Sequence, residues 1–163
     1  GPLQCIVSDM TAFRVKGVYY ELTLYMDLWN NEIVSHSLSS KRGDRMTYIS
    51  GLKELLELKK QYPEYQMILH SDQGSVYASK AYNDLLPMYV TRSMSRAGTP
   101  TDNGAMESIN GWIKAELFMD FHVTGDRPVE IEIDEYITFF NEQRPAYALN
   151  YLTPKQYREA YAP

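Results

Sequence analysis

Cysteine is almost missing from this chain. Cys5 is the only one in 163 residues, which excludes an intrachain disulfide framework and a cysteine-built zinc site. Histidine is scarce, and His36, His70 and His122 share no metal-ligand spacing. No run approaches the ~18 consecutive apolar residues of a membrane span. The opening Gly1-Pro2-Leu3-Gln4 lacks the basic start and apolar stretch of a signal peptide, so an intracellular, cytoplasmic setting is the default expectation. Gly1-Pro2 reads as a protease scar from recombinant expression. Residues 1–4 are then expected to be a disordered start and 5–163 one domain, since no repeat, low-complexity tract or long linker divides the chain. An excess of positive charge is also lacking: 16 basic residues face 21 acidic ones, a net of −5. That is not the bulk signature of a nucleic-acid binder.

What is present is a globular composition, 44% hydrophobic and 23% charged. The acidity is local. Residues 1–115 balance 12 basic against 12 acidic side chains, whereas 116–142 hold 8 acids and only Arg127. The larger part of the chain is therefore free to meet an anionic partner.

The first third reads as three antiparallel strands. Residues 4–8 form a short apolar run ending at Asp9. Residues 17–27 alternate at period two through Tyr20, Leu22, Leu24 and Met26, and Asn30-Asn31 turns into a strand at 32–38. The period then changes. Met46, Ile49, Leu52, Leu55, Leu56 and Lys59 fall at helical spacing over 44–60, with Asp44 as the N-cap. A short buried strand, Met67-Ile68-Leu69, runs into His70-Ser71-Asp72. A helix at 79–86, a strand at 88–90, a mobile loop at 93–103 and helices at 104–118, 129–141 and 154–161 complete the reading. The order implies a mixed sheet covered by helices.

Three carboxylates stand apart. Asp9 ends the first strand, Asp72 follows the fourth, and Glu107 lies early in a helix. If the first and fourth strands are parallel neighbours, Asp9 and Asp72 emerge together at the strand ends where α/β sheets bind ligands. Converging carboxylates are hard oxygen ligands suited to Mg²⁺ or Mn²⁺. Capping of strand ends and turns would use the same aspartates, and spacing alone leaves both readings open.

The residues around each acid add a resemblance. Ser8-Asp9-Met10-Thr11, then His70-Ser71-Asp72-Gln73-Gly74-Ser75, then Asp102-Asn103-Gly104-Ala105-Met106-Glu107-Ser108 occur in this order. Ser93-Met94-Ser95-Arg96-Ala97-Gly98, Lys114-Ala115-Glu116, Phe140-Asn141-Glu142-Gln143-Arg144-Pro145 and Leu149-Asn150-Tyr151-Leu152-Thr153-Pro154 extend the set. Together they resemble the catalytic core of bacterial insertion-sequence transposases, in the DDE transposase and retroviral integrase superfamily. The resemblance implies a ribonuclease-H-like α/β fold: a five-stranded mixed sheet, antiparallel meander plus parallel strands, flanked by helices. It implies that Asp9, Asp72 and Glu107 are catalytic and hold two Mg²⁺ or Mn²⁺ ions. The activity implied is DNA cleavage and strand transfer at mobile-element ends. Its implied partners are element-end and target DNA, further copies of the chain, and an N-terminal helix-turn-helix region missing here. Between Asp72 and Glu107 lie 34 residues, one fewer than is usual in these transposases.

A nuclease of the same fold without joining activity, and a DNA-binding module without chemistry, are the competing readings. Lys114 lies two helical turns after Glu107 on one face and resembles the family's DNA-contacting lysine. Asn110 shares that face. Arg92 and Arg96 are candidate phosphate clamps. The alternatives are ordinary: a solvated lysine and loop arginines. Glu130, Glu132, Asp134 and Glu135 read as a solvated acidic helix face, and Arg144-Pro145 and Thr153-Pro154 as structural punctuation.

Overall fold

The structure, a computed structural model, describes residues 1–95 and 104–163, with backbone alone for 104–107, 109 and 110. Its sheet has five strands, β1 (Cys5–Val15), β2 (Val18–Asp27), β3 (Glu32–Ser39), β4 (Met67–Ser71) and β5 (Val90–Met94), in the order β3-β2-β1-β4-β5. β1, β2 and β3 form the antiparallel meander, and β4 and β5 run parallel to β1 and to each other. The helices are α1 (Arg45–Lys59), α2 (Lys80–Asn83), α3 (Gly104–Ala115), α4 (Val129–Glu142) and α5 (Pro154–Tyr161). No described helix is long and apolar enough to cross a membrane.

β2 lies between two strands with both faces covered, and it is buried from Glu21 to Asp27. Its alternation sorts the core. Leu22, Leu24 and Met26 join Val7, Ile113, Leu117, Ile133 and Phe140 on the side of α3 and α4. Tyr25 points the other way, into a cluster with Ile6, Tyr48, Leu52, Leu55, Tyr77 and Tyr82 on the side of α1 and α2. The period-two signal is thus the division between two faces of one sheet.

Several expectations shift. β1 is not a short run ending at Asp9. Its pairing with β2 continues from Ile6↔Asp27 to Val15↔Val18, because the hairpin ladder tolerates polar residues that interrupt an apolar run. The fifth strand lies at Val90–Met94, later than 88–90, and the helix expected over 79–86 spans only Lys80–Asn83. α1 is capped by Asp44, whose side chain accepts from the Met46 amide, yet Met46 itself is exposed and Tyr48 fills the core instead. The helix expected to 118 changes to a π turn at Glu116–Asp120. α5 begins as read, in a capping box between Thr153 and Gln156 behind Pro154.

The acidic helix face is only partly solvated. Glu132 is buried and accepts from the Gly125 amide at 3.0 Å, while Glu135 pairs with Arg127 and Asp134 with His36. At the start of the chain Leu3 is buried, its amide donating to Asp27 at 2.7 Å.

Candidate functional site

The β1–β4 register sets the site. Cys5 pairs with Ile68, Ile6 with Leu69 and Val7 with His70. β4 ends at Ser71, so Asp9 and Asp72 both lie two residues past the last paired position, just beyond the carboxyl end of the parallel β1–β4 pairing. Both line a cleft of about 290 Å³ with Glu21, Arg42, Gly43, Tyr48, Gly74 and Tyr77. One carboxylate oxygen of each is held by the backbone: Oδ1 of Asp9 accepts from the Met10 amide and Oδ1 of Asp72 from the Gly74 amide, each at 2.8 Å. A Cβ at Gly74 would stand 2.9 Å from that Asp72 oxygen, so a larger residue there would turn the carboxylate.

The electrostatics agree with the register. The Tyr48 hydroxyl is pushed up to about 12, first by burial, then by the negative charges of Glu21, Asp72 and Asp9. One side chain thus senses both aspartates. Two neighbouring carboxylates repel each other, and a hard divalent cation is the natural remedy. Among the described residues no group of three or more metal-ligating side chains is gathered. The Glu107 side chain is outside those residues. Its backbone lies in the first turn of α3.

Beneath the aspartates runs a hydroxyl network. Ser8, next to Asp9, shares a 2.8 Å hydrogen bond with Tyr77, both buried. The Tyr77 ring meets Tyr48 and Tyr82 edge-on, and Tyr25 hydrogen-bonds Tyr82 at 2.9 Å and donates to the Tyr48 carbonyl at 3.0 Å. These bonds tie β1, β2, α1 and the segment after Asp72 into one floor.

Of the remaining anticipated residues, Lys114 and Arg92 have described side chains, and neither lines the cleft. Lys114 is exposed on α3, seven residues after Glu107 in one continuous helix. Arg92 is half-buried over the Tyr82 ring and donates to Leu69 O and Ser71 Oγ, bracing the end of β4. The Asn110 side chain and all of Arg96 lie outside the described residues. Arg144 pairs with Glu116 at 2.6 Å, and Tyr136 donates to the same carboxylate, joining two of the sequence motifs into one brace. Sequence reading missed Glu21, Arg42, Tyr48 and Tyr77. A buried glutamate within an alternating strand was the one available signal, and its partner lies more than 20 residues away.

Comparison with known proteins gives consistent results. A family model described as "Integrase core domain" matches residues 88–154. The transposase for insertion sequence element IS904 of Lactococcus lactis subsp. lactis strain IL1403 is 33% identical over 160 residues, covering 97% of this chain and 62% of that protein. An uncharacterized transposase-like protein of Haemophilus influenzae Rd is 32% identical, covering 93% and 68%. The chain spans less than two thirds of the length of the IS904 transposase. Among solved structures, the HTLV-2 integrase catalytic core domain in complex with magnesium superposes with a TM-score of 0.71 at 18% identity, covering 95% of each chain. At that identity the likeness concerns the fold, a ribonuclease-H-like one.

Proposed function

The chain belongs to the insertion-sequence transposases with an integrase core, and from that premise we propose that it is a DDE-type catalytic core that cuts DNA and joins it at mobile-element ends. The observation carrying this reading is the parallel β1–β4 register that brings Asp9 and Asp72 into one cleft. Asp9, Asp72 and Glu107 are the proposed ligands of two divalent cations, Mg²⁺ or Mn²⁺. The donor set fits: carboxylate oxygens only, at a cleft where negative charges cluster. Such ions supply Lewis-acid charge to a phosphodiester and acidify an attacking hydroxyl.

The chain's own residues hold and orient. Backbone amides of Met10 and Gly74 fix the two aspartates, and the Ser8–Tyr77 bond keeps their supports together. Lys114, on the helix of Glu107, is suited to a phosphate of the incoming strand, with Asn110 beside it. Arg96 is a further candidate for phosphate contact, and Arg92 contributes by bracing β4. Cleavage uses water and joining uses a DNA 3′-hydroxyl in the same in-line displacement at phosphorus, so no covalent intermediate with a side chain is required. DNA ends, target DNA and further copies of the chain are the proposed partners, and the cell's DNA is the proposed place of action. An N-terminal helix-turn-helix region would supply end recognition.

Mn²⁺ titration and nicking of plasmid DNA test the reading. Asp9→Asn and Asp72→Asn are each expected to weaken Mn²⁺ binding at least about 100-fold, more than the loss of a supporting partner costs, and to abolish nicking. Variants that bind Mn²⁺ and nick like the parent would refute it. Joining is read separately, as transfer of a labelled 3′-hydroxyl end into plasmid.

A further inference from the structure

The cleft that holds the two aspartates also has a cation in its lining, Arg42, with two more beside it in sequence. Lys41, Arg42 and Arg45 follow one another through the β3–α1 connection, and all three are exposed. Four exposed cations elsewhere are paired, Lys16 with Asp126, Lys60 with Glu57, Lys80 with Asp84 and Arg127 with Glu135, whereas Arg14, Lys53 and Lys114 form no ion pair among the described residues. Lys41, Arg42 and Arg45 likewise form none among the described residues. The intervening Asp44 is occupied, accepting from the Met46 amide and from Ser39.

Arg42 is the informative member. It lines the same cleft as Asp9 and Asp72, and ordinary attraction would draw a guanidinium onto a carboxylate pair. Instead its guanidinium lies 4.8 Å from the centre of the Tyr19 ring, which Arg14 also approaches. The backbone explains the separation. Both Glu21 oxygens accept from the Gly43 amide at 3.0 Å, and Oε1 also accepts from the Tyr19 hydroxyl at 2.7 Å. Gly43 adopts a φ of +66°, a conformation that favours glycine. A buried carboxylate on the central hairpin thereby pins the turn, and Arg42 is held at the rim.

A cleft with an anionic floor and an unneutralised cationic rim matches a ligand that carries a metal-bound phosphate together with further phosphates along a chain. We propose that Arg42, flanked by Lys41 and Arg45, grips a backbone phosphate of the DNA beside the one presented to Asp9 and Asp72, and that Glu21 positions it through Gly43. This rests on the DNA-processing reading above and assigns the strand a path across the β3–α1 connection.

The test is DNA binding without metal. A fluorescent duplex is titrated with protein in EDTA from 50 to 200 mM salt, comparing the parent with Lys41→Ala/Arg42→Ala/Arg45→Ala and with Lys60→Ala as a surface control. The triple variant should lose at least about tenfold in affinity at low salt. Its slope of log affinity against log salt should be shallower by at least about 0.9, the value for one phosphate no longer neutralised. Lys60→Ala should behave as the parent, and thermal unfolding should stay unchanged for both. Glu21→Gln should weaken binding while keeping the slope, because it loosens the turn that positions Arg42 without removing a cation from the rim. Equal affinity and slope in parent and triple variant overturn the proposal, as does an equal loss in Lys60→Ala. The catalytic reading fails separately. A parent that binds through the rim yet never nicks DNA removes the catalytic claim and leaves the rim in place.

Discussion

The two faces of the sheet are built from different materials. On the side of α3 and α4 the core is aliphatic and phenylalanine-rich, with Tyr136 its one fully buried phenol among the described residues. On the side of α1 and α2 four tyrosines, Tyr25, Tyr48, Tyr77 and Tyr82, sit among the aliphatic residues; Tyr25 bonds Tyr82 and the Tyr48 carbonyl, Tyr77 bonds Ser8, and the Tyr77 ring meets those of Tyr48 and Tyr82. Dispersion and burial set a volume to fill and accept many arrangements. Hydrogen bonds between buried hydroxyls fix directions and penalise displacement. The directional core lies under Asp9 and Asp72, where ligand geometry matters, and the permissive one supports the outer helices.

Alkaline pH should break the symmetry most strongly. Burial holds Tyr25 and Tyr77 well above a phenol's ordinary value and Tyr48 and Tyr82 at about 12. An unfolded tyrosine ionises near pH 10, so the unfolded state gives up protons first. Stability is then full below about pH 10 and falls as pH rises through about 12. Urea unfolding from pH 8 to 11.5, followed by phenolate absorbance, checks this, with absorbance rising together with unfolding.

Substitutions sharpen the contrast in decreasing order. Leu24→Ala, in the aliphatic core, should cost roughly 2–5 kcal/mol by denaturant unfolding while leaving turnover per folded molecule unchanged. Tyr25→Phe removes a hydroxyl shared by Tyr48 and Tyr82 and should cost roughly 1–3 kcal/mol. Tyr77→Phe should cost only about 1 kcal/mol. Yet it should weaken Mn²⁺ binding about tenfold, as removal of supporting bonds around ligands does. The least destabilising change would thus act most on the site.

The contrast also explains what could be read from sequence. Helix α1 was legible because Asp44 and the Leu52–Leu55 spacing are local signals, and α5 because Thr153-Pro154 is one. Asp9 and Asp72 were legible through short motifs and a register that needs only two parallel strands. The length of β1 was not: Asp9, Thr11 and Arg14 interrupt its apolar pattern, and only the β2 hairpin partner extends it. Arg92 in β5 obscured that strand because its polar head is absorbed by Ser71 and Tyr82. Glu21 and Gly43 meet across 22 positions, and such pairings exist only once the chain has folded. The phenolic floor was visible as 14 tyrosines, but not which four would meet.

The π turn at Glu116–Asp120, closed by the Phe121 amide on the Glu116 carbonyl at 2.8 Å, has a consequence for length variation. A wide turn houses a residue that an α-helical turn would expel. One residue can be lost after Leu117 while Ile113 and Leu117 stay in the core and the Glu107-to-Lys114 spacing is untouched. Tolerance of deletions along this helix is therefore lopsided, generous after Leu117 and strict before it.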